Sequence, residues 1–283
     1  MTLSELLPSP GRGRNPGVDR AIWPLRLDRS MTLSSVQVRA RADRLRVTAA
    51  YAVLLLAVSL TLTALGAHTR AAVVSEMSTN LHNLAHGHLG SLVGSAFVSD
   101  GGDVYLWLPG LVCLLALGEL IWHGRGLLIT FAIGHIGATL IVAVGLVAAV
   151  ETGWLPFSVA RATDVGISYG AVCVLGALTA SIPSRRRPAW IGWWLGVAAL
   201  ATFDADFTPF GHLLALLLGM GLSFRLPSIA RWTPAHAALL VVGAAFGYFV
   251  LSEWSSPVAP AAGLTGVMCA LLASRVMRRS TAV

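Results

Sequence analysis

Long apolar segments, joined by short loops that carry arginine, constrain this fold more than any other feature of the sequence. A helix that crosses a bilayer needs about 20 mostly apolar residues. The chain is 55% hydrophobic and 12% charged, whereas a soluble domain is about 25% charged. We therefore predict an all-α, polytopic membrane helix bundle that lies in a lipid bilayer. Eight segments qualify as spans: 46–67, 104–122, 126–150, 165–182, 189–203, 207–224, 235–251 and 258–276.

The positions of the basic residues predict how the spans are oriented. All 20 are arginine, and 18 fall in cytoplasmic segments if the chain has eight spans and a cytoplasmic N-terminus. Only Arg70 and Arg161 then lie outside. Because cytoplasmic loops carry an excess of positive charge, both termini are predicted to be cytoplasmic. The use of arginine alone suggests a bacterial source and hence the inner (plasma) membrane. The net charge of +7 follows from this topology, so no nucleic-acid partner is expected.

The segment 79–98, between the first two spans, has apolar residues at helical spacing. It predicts an amphipathic helix lying in the outer interface. His82 and His86 are four residues apart on this segment, which is a spacing that can hold zinc. No third ligand is evident, so we expect a polar face there, with no metal and no other cofactor. The three cysteines lie in apolar runs and predict neither a disulfide framework nor a metal site.

A glycine–serine motif, Gly166-x-Ser168-x-Gly170, opens the fourth predicted span. In soluble hydrolases the G-x-S-x-G motif marks a nucleophilic serine in the turn between a strand and a helix. The residues before Gly166 do not form a strand pattern, so the soluble hydrolase interpretation is excluded. Any chemistry of Ser168 has to take place within the membrane.

Ser168 and His212 are predicted to lie at the same depth in two parallel spans. Ser168 follows Asp164 by four residues, and His212 follows Asp206 by six. At 1.5 Å per residue both side chains lie roughly 6–9 Å below the outer boundary. Histidine is the usual base that activates a serine nucleophile, and the pair forms a triad without its acidic member. The structural alternative is that Ser168 is a helix-packing serine.

Small residues predict that the fourth and sixth spans approach closely. Gly170 lies on the fourth span, and Ala215 and Gly219 lie four residues apart on the sixth. Small residues at this spacing allow tight backbone approach in membranes.

With these motifs in place, the sequence resembles the rhomboid intramembrane serine proteases. That family carries a G-x-S-G serine on its fourth helix and H-x-x-G-x-x-x-G on its sixth. The chain has Gly166-Ile167-Ser168 followed by Tyr169, and a sixth-span His212 with Ala215 in place of the first glycine and Gly219 at the second. Further similarities are Gly94–Phe97 with Gly101-Gly102 before the second span, and Gly118-Glu119 at its end.

The resemblance implies a six-helix rhomboid-like core at 46–226, preceded by a disordered, arginine-rich cytoplasmic tail at 1–45. Two additional transmembrane helices and a short tail occupy 227–283. Ser168 is then the nucleophile and His212 the base. Gly166, Tyr169 and Tyr105 are candidates to support the oxyanion, because the stretch 99–109 lacks the histidine and asparagine that the family places at the second helix.

Three functions remain open at this point. The first is a serine peptidase that cleaves single-span membrane proteins near the outer membrane face. The second is a catalytically inactive rhomboid-like protein that binds transmembrane clients, which the missing histidine and asparagine favour. The third is a small transporter, for which the buried polar residues are few. Two other polar residues within spans, Glu119 and His135, are predicted to make structural hydrogen bonds. Asp204 and Asp206 are predicted loop charges, one of which could orient His212.

Overall fold

Helices make up the regular structure of the protein in the computed structural model, which describes residues 43–99, 104–165, 167–203, 207–252 and 257–280. No strand occurs among these residues. In chain order the helices are α1 (Arg46–Leu65), α2 (Ala67–Met77), α3 (Leu81–Ala85), α4 (Ser91–Gly94), α5 (Val104–Glu151), α6 (Ser168–Ala177), α7 (Arg187–Ala201), α8 (Thr208–Leu222), α9 (Pro234–Leu251) and α10 (Ala259–Ser280).

The helix α5 contains two predicted spans and reverses direction between them. His123 interrupts it with a φ of 60°. A Cβ added to Gly118 would lie 3.3 Å from Leu127, whereas nine residues of straight helix would separate them by roughly 13 Å. Residues 104–122 and 124–151 are therefore two limbs, called the first and second limb below.

Each of the eight predicted spans coincides with a helix or a limb, so the predicted polytopic helical bundle is confirmed. Among the described residues, α1, α5, α9 and α10 are long and apolar enough to cross a bilayer. The helix α8 is shorter, as is α6 with its 3-10 extension Leu178–Ser181. Every residue from Tyr169 to Ile182 is buried. Because protein rather than lipid surrounds α6, a full lipid-crossing length is not required of it.

Hydrogen bonds define two ends of the bundle. At the first end, called the loop end, Thr79 bonds to Asp164. At the other, called the arginine end, Trp122 Nε1 donates to the carbonyl of Pro227 at 3.2 Å. Arg187 also lies at the arginine end, where it donates to carbonyls that end the 3-10 extension of α6.

The prediction of one interfacial helix over 79–98 is wrong. The segment forms only α3, α4 and a 3-10 turn at Ser95–Phe97. Asn80 caps α3 by accepting from the backbone of Asn83 at 2.9 Å, and Gly87, at φ 77°, follows the end of α3. The side chain of Asn83 donates to the carbonyls of Ser75 and Ser78 at 2.8 Å each. These local bonds fold the segment into a loop, which the apolar spacing alone did not indicate.

The rings of His82 and His86 lie together on this loop, with centroids 4.3 Å apart. Desolvation and, after it, the neighbouring charge of His86 lower the pKa of His82. Among the residues that the structure describes, no group of three His, Cys, Asp or Glu side chains is arranged to hold a metal ion.

The buried carboxylate of Glu119 caps the start of α1. It accepts hydrogen bonds from the backbone N–H groups of Val47 at 2.9 Å and Thr48 at 2.8 Å. The first N–H groups of a helix have no intrahelical partner, and negative charge is stabilising beside them. Residues 1–42 of the predicted tail lie outside the described residues, but Asp43–Leu45 form a 3-10 turn that leads into α1. The folded part therefore begins before residue 46.

Replacing Glu119 by alanine is expected to lower the free energy of unfolding by about 2 kcal/mol, because two buried N–H groups lose their acceptor. Unfolding of the purified protein in detergent, followed by circular dichroism, measures this. Glu151→Ala is the matched control, since Glu151 is exposed at the end of α5. Equal stability of the two variants would show that the cap contributes nothing.

The last helix, α10, packs against α7. Gly192 of α7 lies against the carbonyl of Gly266 in α10, and Gly196 lies against that of Ala262. The two helices are therefore antiparallel and touch through their backbones, as small residues permit in membranes. Pro260 lies in the first turn of α10, where its missing N–H is tolerated.

Candidate functional site

The site is built on the contact between α6 and α8. Tyr169 of α6 meets Gly211 of α8, and further along Cys173 meets Gly219. Residue numbers rise together along both helices, so the helices are parallel. A Cβ on Gly219 would collide with the carbonyl of Cys173, which shows that the two backbones touch. Ala215 is fully buried on the same helix.

Ser168 is the first residue of α6, at the loop end of the bundle. Its side chain is half-buried. It lines a small polar cavity and makes no hydrogen bond to any residue that the structure describes. Its hydroxyl is therefore available to a group that enters this cavity.

His212 lies in the second turn of α8 and is 6% exposed. Its ring packs edge-on against Tyr169, with the centroids 5.3 Å apart and an angle of 82° between the planes. Tyr169 is itself buried and lies over Gly211, which has no side chain to displace it. Ser168 and His212 thus lie at the same end of two touching helices without a hydrogen bond between them. His212 is not among the residues that line the cavity.

The cavity at Ser168 is polar. The space open to the centres of water molecules is about 40 Å³, and one water needs about 10–15 Å³ on this measure. The cavity therefore has room for about three waters. It is lined by Thr79, Ser95, His135, Thr139, Thr163, Asp164, Val165, Ser168, Tyr169 and Thr208.

The loop between α2 and α5 forms one wall of the cavity. Thr79 donates to both the carbonyl and the carboxylate of Asp164, at 2.9 and 3.0 Å. The backbone of Asp164 donates in turn to the hydroxyl of Ser78 at 2.8 Å. These bonds fasten the loop to the segment that leads into Ser168, so the loop fixes the approach to the serine.

His135 reaches the cavity from a π-helical turn, Ile133–Gly137, in the second limb of α5. Its Nε2 lies 3.1 Å from the hydroxyl of Ser95, which is fully buried. Phe131 stacks on the imidazole with centroids 6.1 Å apart. Single π-helical turns occur frequently at functional sites. We predicted structural hydrogen bonding as the main role of this residue, and the contact with Ser95 is such a bond. An ionisable residue in an apolar span is also a signal of function.

The remaining predicted residues lie in different places. Tyr105 is 59% exposed and does not line the cavity, so the structure does not bring it to Ser168. Gly170 packs against the ring of Phe131 on α5. Gly166, Asp204 and Asp206 lie outside the described residues.

Comparison of the sequence with models of known protein families identifies the family of this chain. The sequence model described as "Rhomboid-like protein" matches residues 45–229, about two thirds of the chain. The chain belongs to the rhomboid-like protein family. No curated protein and no solved structure matches it. In this rhomboid-like protein α1 to α8 lie within the matched region, whereas α9 and α10 begin after it.

Proposed function

We propose that this rhomboid-like protein is an intramembrane serine peptidase that cleaves single-span membrane proteins near the outer membrane face. The observation that supports it most is the parallel contact of α6 with α8. That contact puts Ser168 and His212 at the same end of adjacent helices, with Ser168 at a polar cavity. Family membership adds to it, since rhomboid-like families include intramembrane serine proteases.

The proposed reaction uses two steps. Ser168 Oγ attacks the scissile carbonyl while His212 takes the hydroxyl proton, and the proton then passes to the leaving amine as the C–N bond breaks. Water then enters, gives a proton to His212, and its oxygen displaces the serine from the acyl carbon. The hydroxyl of Ser168 recovers the proton. Tyr169 fixes the imidazole plane from one side, and catalytic hydrogen bonds that are long in the substrate-free protein commonly tighten when substrate binds.

A second function, binding of transmembrane clients without cleavage, is favoured by one observation. His212 packs on Tyr169 and does not line the cavity that holds Ser168. In that case the cavity and the surrounding helices would recognise a client, and no acyl intermediate would form.

Labelling with a fluorescent fluorophosphonate in proteoliposomes separates these two functions. We expect the wild type to be labelled and Ser168→Ala to be unlabelled, with single-span substrates cut near the outer boundary as mapped by mass spectrometry. Ser252→Ala is the control, because Ser252 is a buried serine at the end of α9, outside the cavity. Labelling that survives Ser168→Ala would sink the peptidase proposal. Co-purification of a substrate that is never cut would support client binding.

A further inference from the structure

His135 is a buried polar residue that the Ser168–His212 pair does not use. It is 4% exposed and lines the cavity that contains Ser168. Its Nδ1 has no hydrogen-bond partner among the described residues. The backbone carbonyl of Leu92 is another polar group beside the imidazole. A buried polar atom without a partner points to a ligand or water in the cavity.

The Ser95 contact indicates which ring nitrogen carries the proton. Ser95 is fully buried, and its hydroxyl is hydrogen-bonded to His135 Nε2 and to no other described residue. If Nε2 donated to Ser95, the hydroxyl proton of Ser95 would have no described acceptor. If Ser95 donates to Nε2, the imidazole proton lies on Nδ1, and a water or a substrate oxygen in the cavity is its acceptor. Our inference takes the second arrangement.

The backbone geometry brings His135 and Ser168 to the same cavity. A Cβ on Gly134 would lie 2.9 Å from the carbonyl of Tyr169, and it would collide with Cys173. The residue before His135 thus touches the residue after Ser168. The side chains of His135 and Ser168 line a cavity with room for about three waters. That volume is enough for one carbonyl group.

We propose that His135, held by Ser95 in its Nδ1–H form, donates a hydrogen bond to the oxygen that reacts at Ser168. In the peptidase reaction this oxygen is the scissile carbonyl oxygen, which becomes negative as Ser168 adds to the carbon. His135 is then an oxyanion donor supplied by the third span, in a chain whose stretch 99–109 contains neither histidine nor asparagine. This inference rests on the proposed function.

The kinetic test compares His135→Leu with His135→Asn in the labelling and cleavage assays. Leucine removes the donor, and we expect kcat to fall about 100–1000-fold, which is the loss for one oxyanion donor, with KM little changed. Asparagine places an amide N–H where Nδ1 lies, and we expect most of the rate to return. Thr130→Val is the control, because Thr130 is buried on the same limb, lacks a described partner and does not line the cavity. A wild-type rate in His135→Leu would overturn the inference.

A spectroscopic test checks the Nδ1–H form, on which the inference depends, even if the wild type cleaves nothing. ¹⁵N NMR of histidine-labelled protein in detergent micelles, assigned by His135→Asn, shows which nitrogen carries the proton. We expect Nδ1–H in the wild type and a mixture of both forms in Ser95→Ala. A proton fixed on Nε2 would overturn the inference. Loss of labelling in the wild type itself, with the Nδ1–H form intact, would instead count against the peptidase function.

Discussion

Replacing His212 by alanine is expected to lower the rates of fluorophosphonate labelling and of substrate cleavage by about 10⁴-fold to 10⁶-fold, which is the range for loss of one member of a serine–histidine unit. Without a base within hydrogen-bond reach, the hydroxyl of Ser168 is a poor nucleophile. Single-turnover labelling of the reconstituted protein measures the effect.

When two residues act together in one catalytic step, the rate losses from replacing each of them do not add. The double variant Ser168→Ala, His212→Ala should therefore be no slower than Ser168→Ala alone. His68→Ala is the control, because His68 is exposed on α2 at the loop end and outside the cavity. A His212→Ala variant that labels within about tenfold of the wild type would mean that another group activates the serine.

Replacing Gly219 by alanine is expected to destabilise the protein by about 3 kcal/mol, at the upper end of the range for overpacking. The new Cβ would collide with the carbonyl of Cys173 and lie 2.9 Å from the backbone nitrogen of Ala177. Backbone atoms of a buried helix cannot move aside cheaply, so α6 and α8 would have to separate. Thermal unfolding in detergent measures the change.

Gly221→Ala on the same helix is the matched control for Gly219→Ala. A Cβ there meets nothing within 4 Å, and alanine is a better helix former than glycine by about 1 kcal/mol. Its stability should be unchanged or slightly higher. If Gly219→Ala were as stable as Gly221→Ala, the backbone contact that brings Ser168 level with His212 would not be a tight one.

Much of the fold follows from local patterns. The apolar segments predict where the long helices of the described residues occur, because a helix in lipid must satisfy its own backbone and cover it with apolar side chains. Even the uncertain last span is explained locally, since Pro260 falls in the first turn of α10, where proline is tolerated. The loop before α5 could not be predicted in this way. Its shape depends on Asn83 bonding to Ser75 and Ser78, and apolar spacing does not contain that information.

The sequence by itself determined that this is a helical membrane protein of the rhomboid-like kind, and it singled out Ser168 and His212. Composition and span length suffice for the helical membrane class, because the bilayer leaves few solutions. The motifs around Ser168 and His212 carry the resemblance to the family. Only the tertiary structure decided which polar groups meet. In the folded protein Tyr169 packs against His212 and lies over Gly211. Ser168 and His135 line the same cavity. A helix carries side chains on all its faces, and the packing of its neighbours determines which of them face the same space.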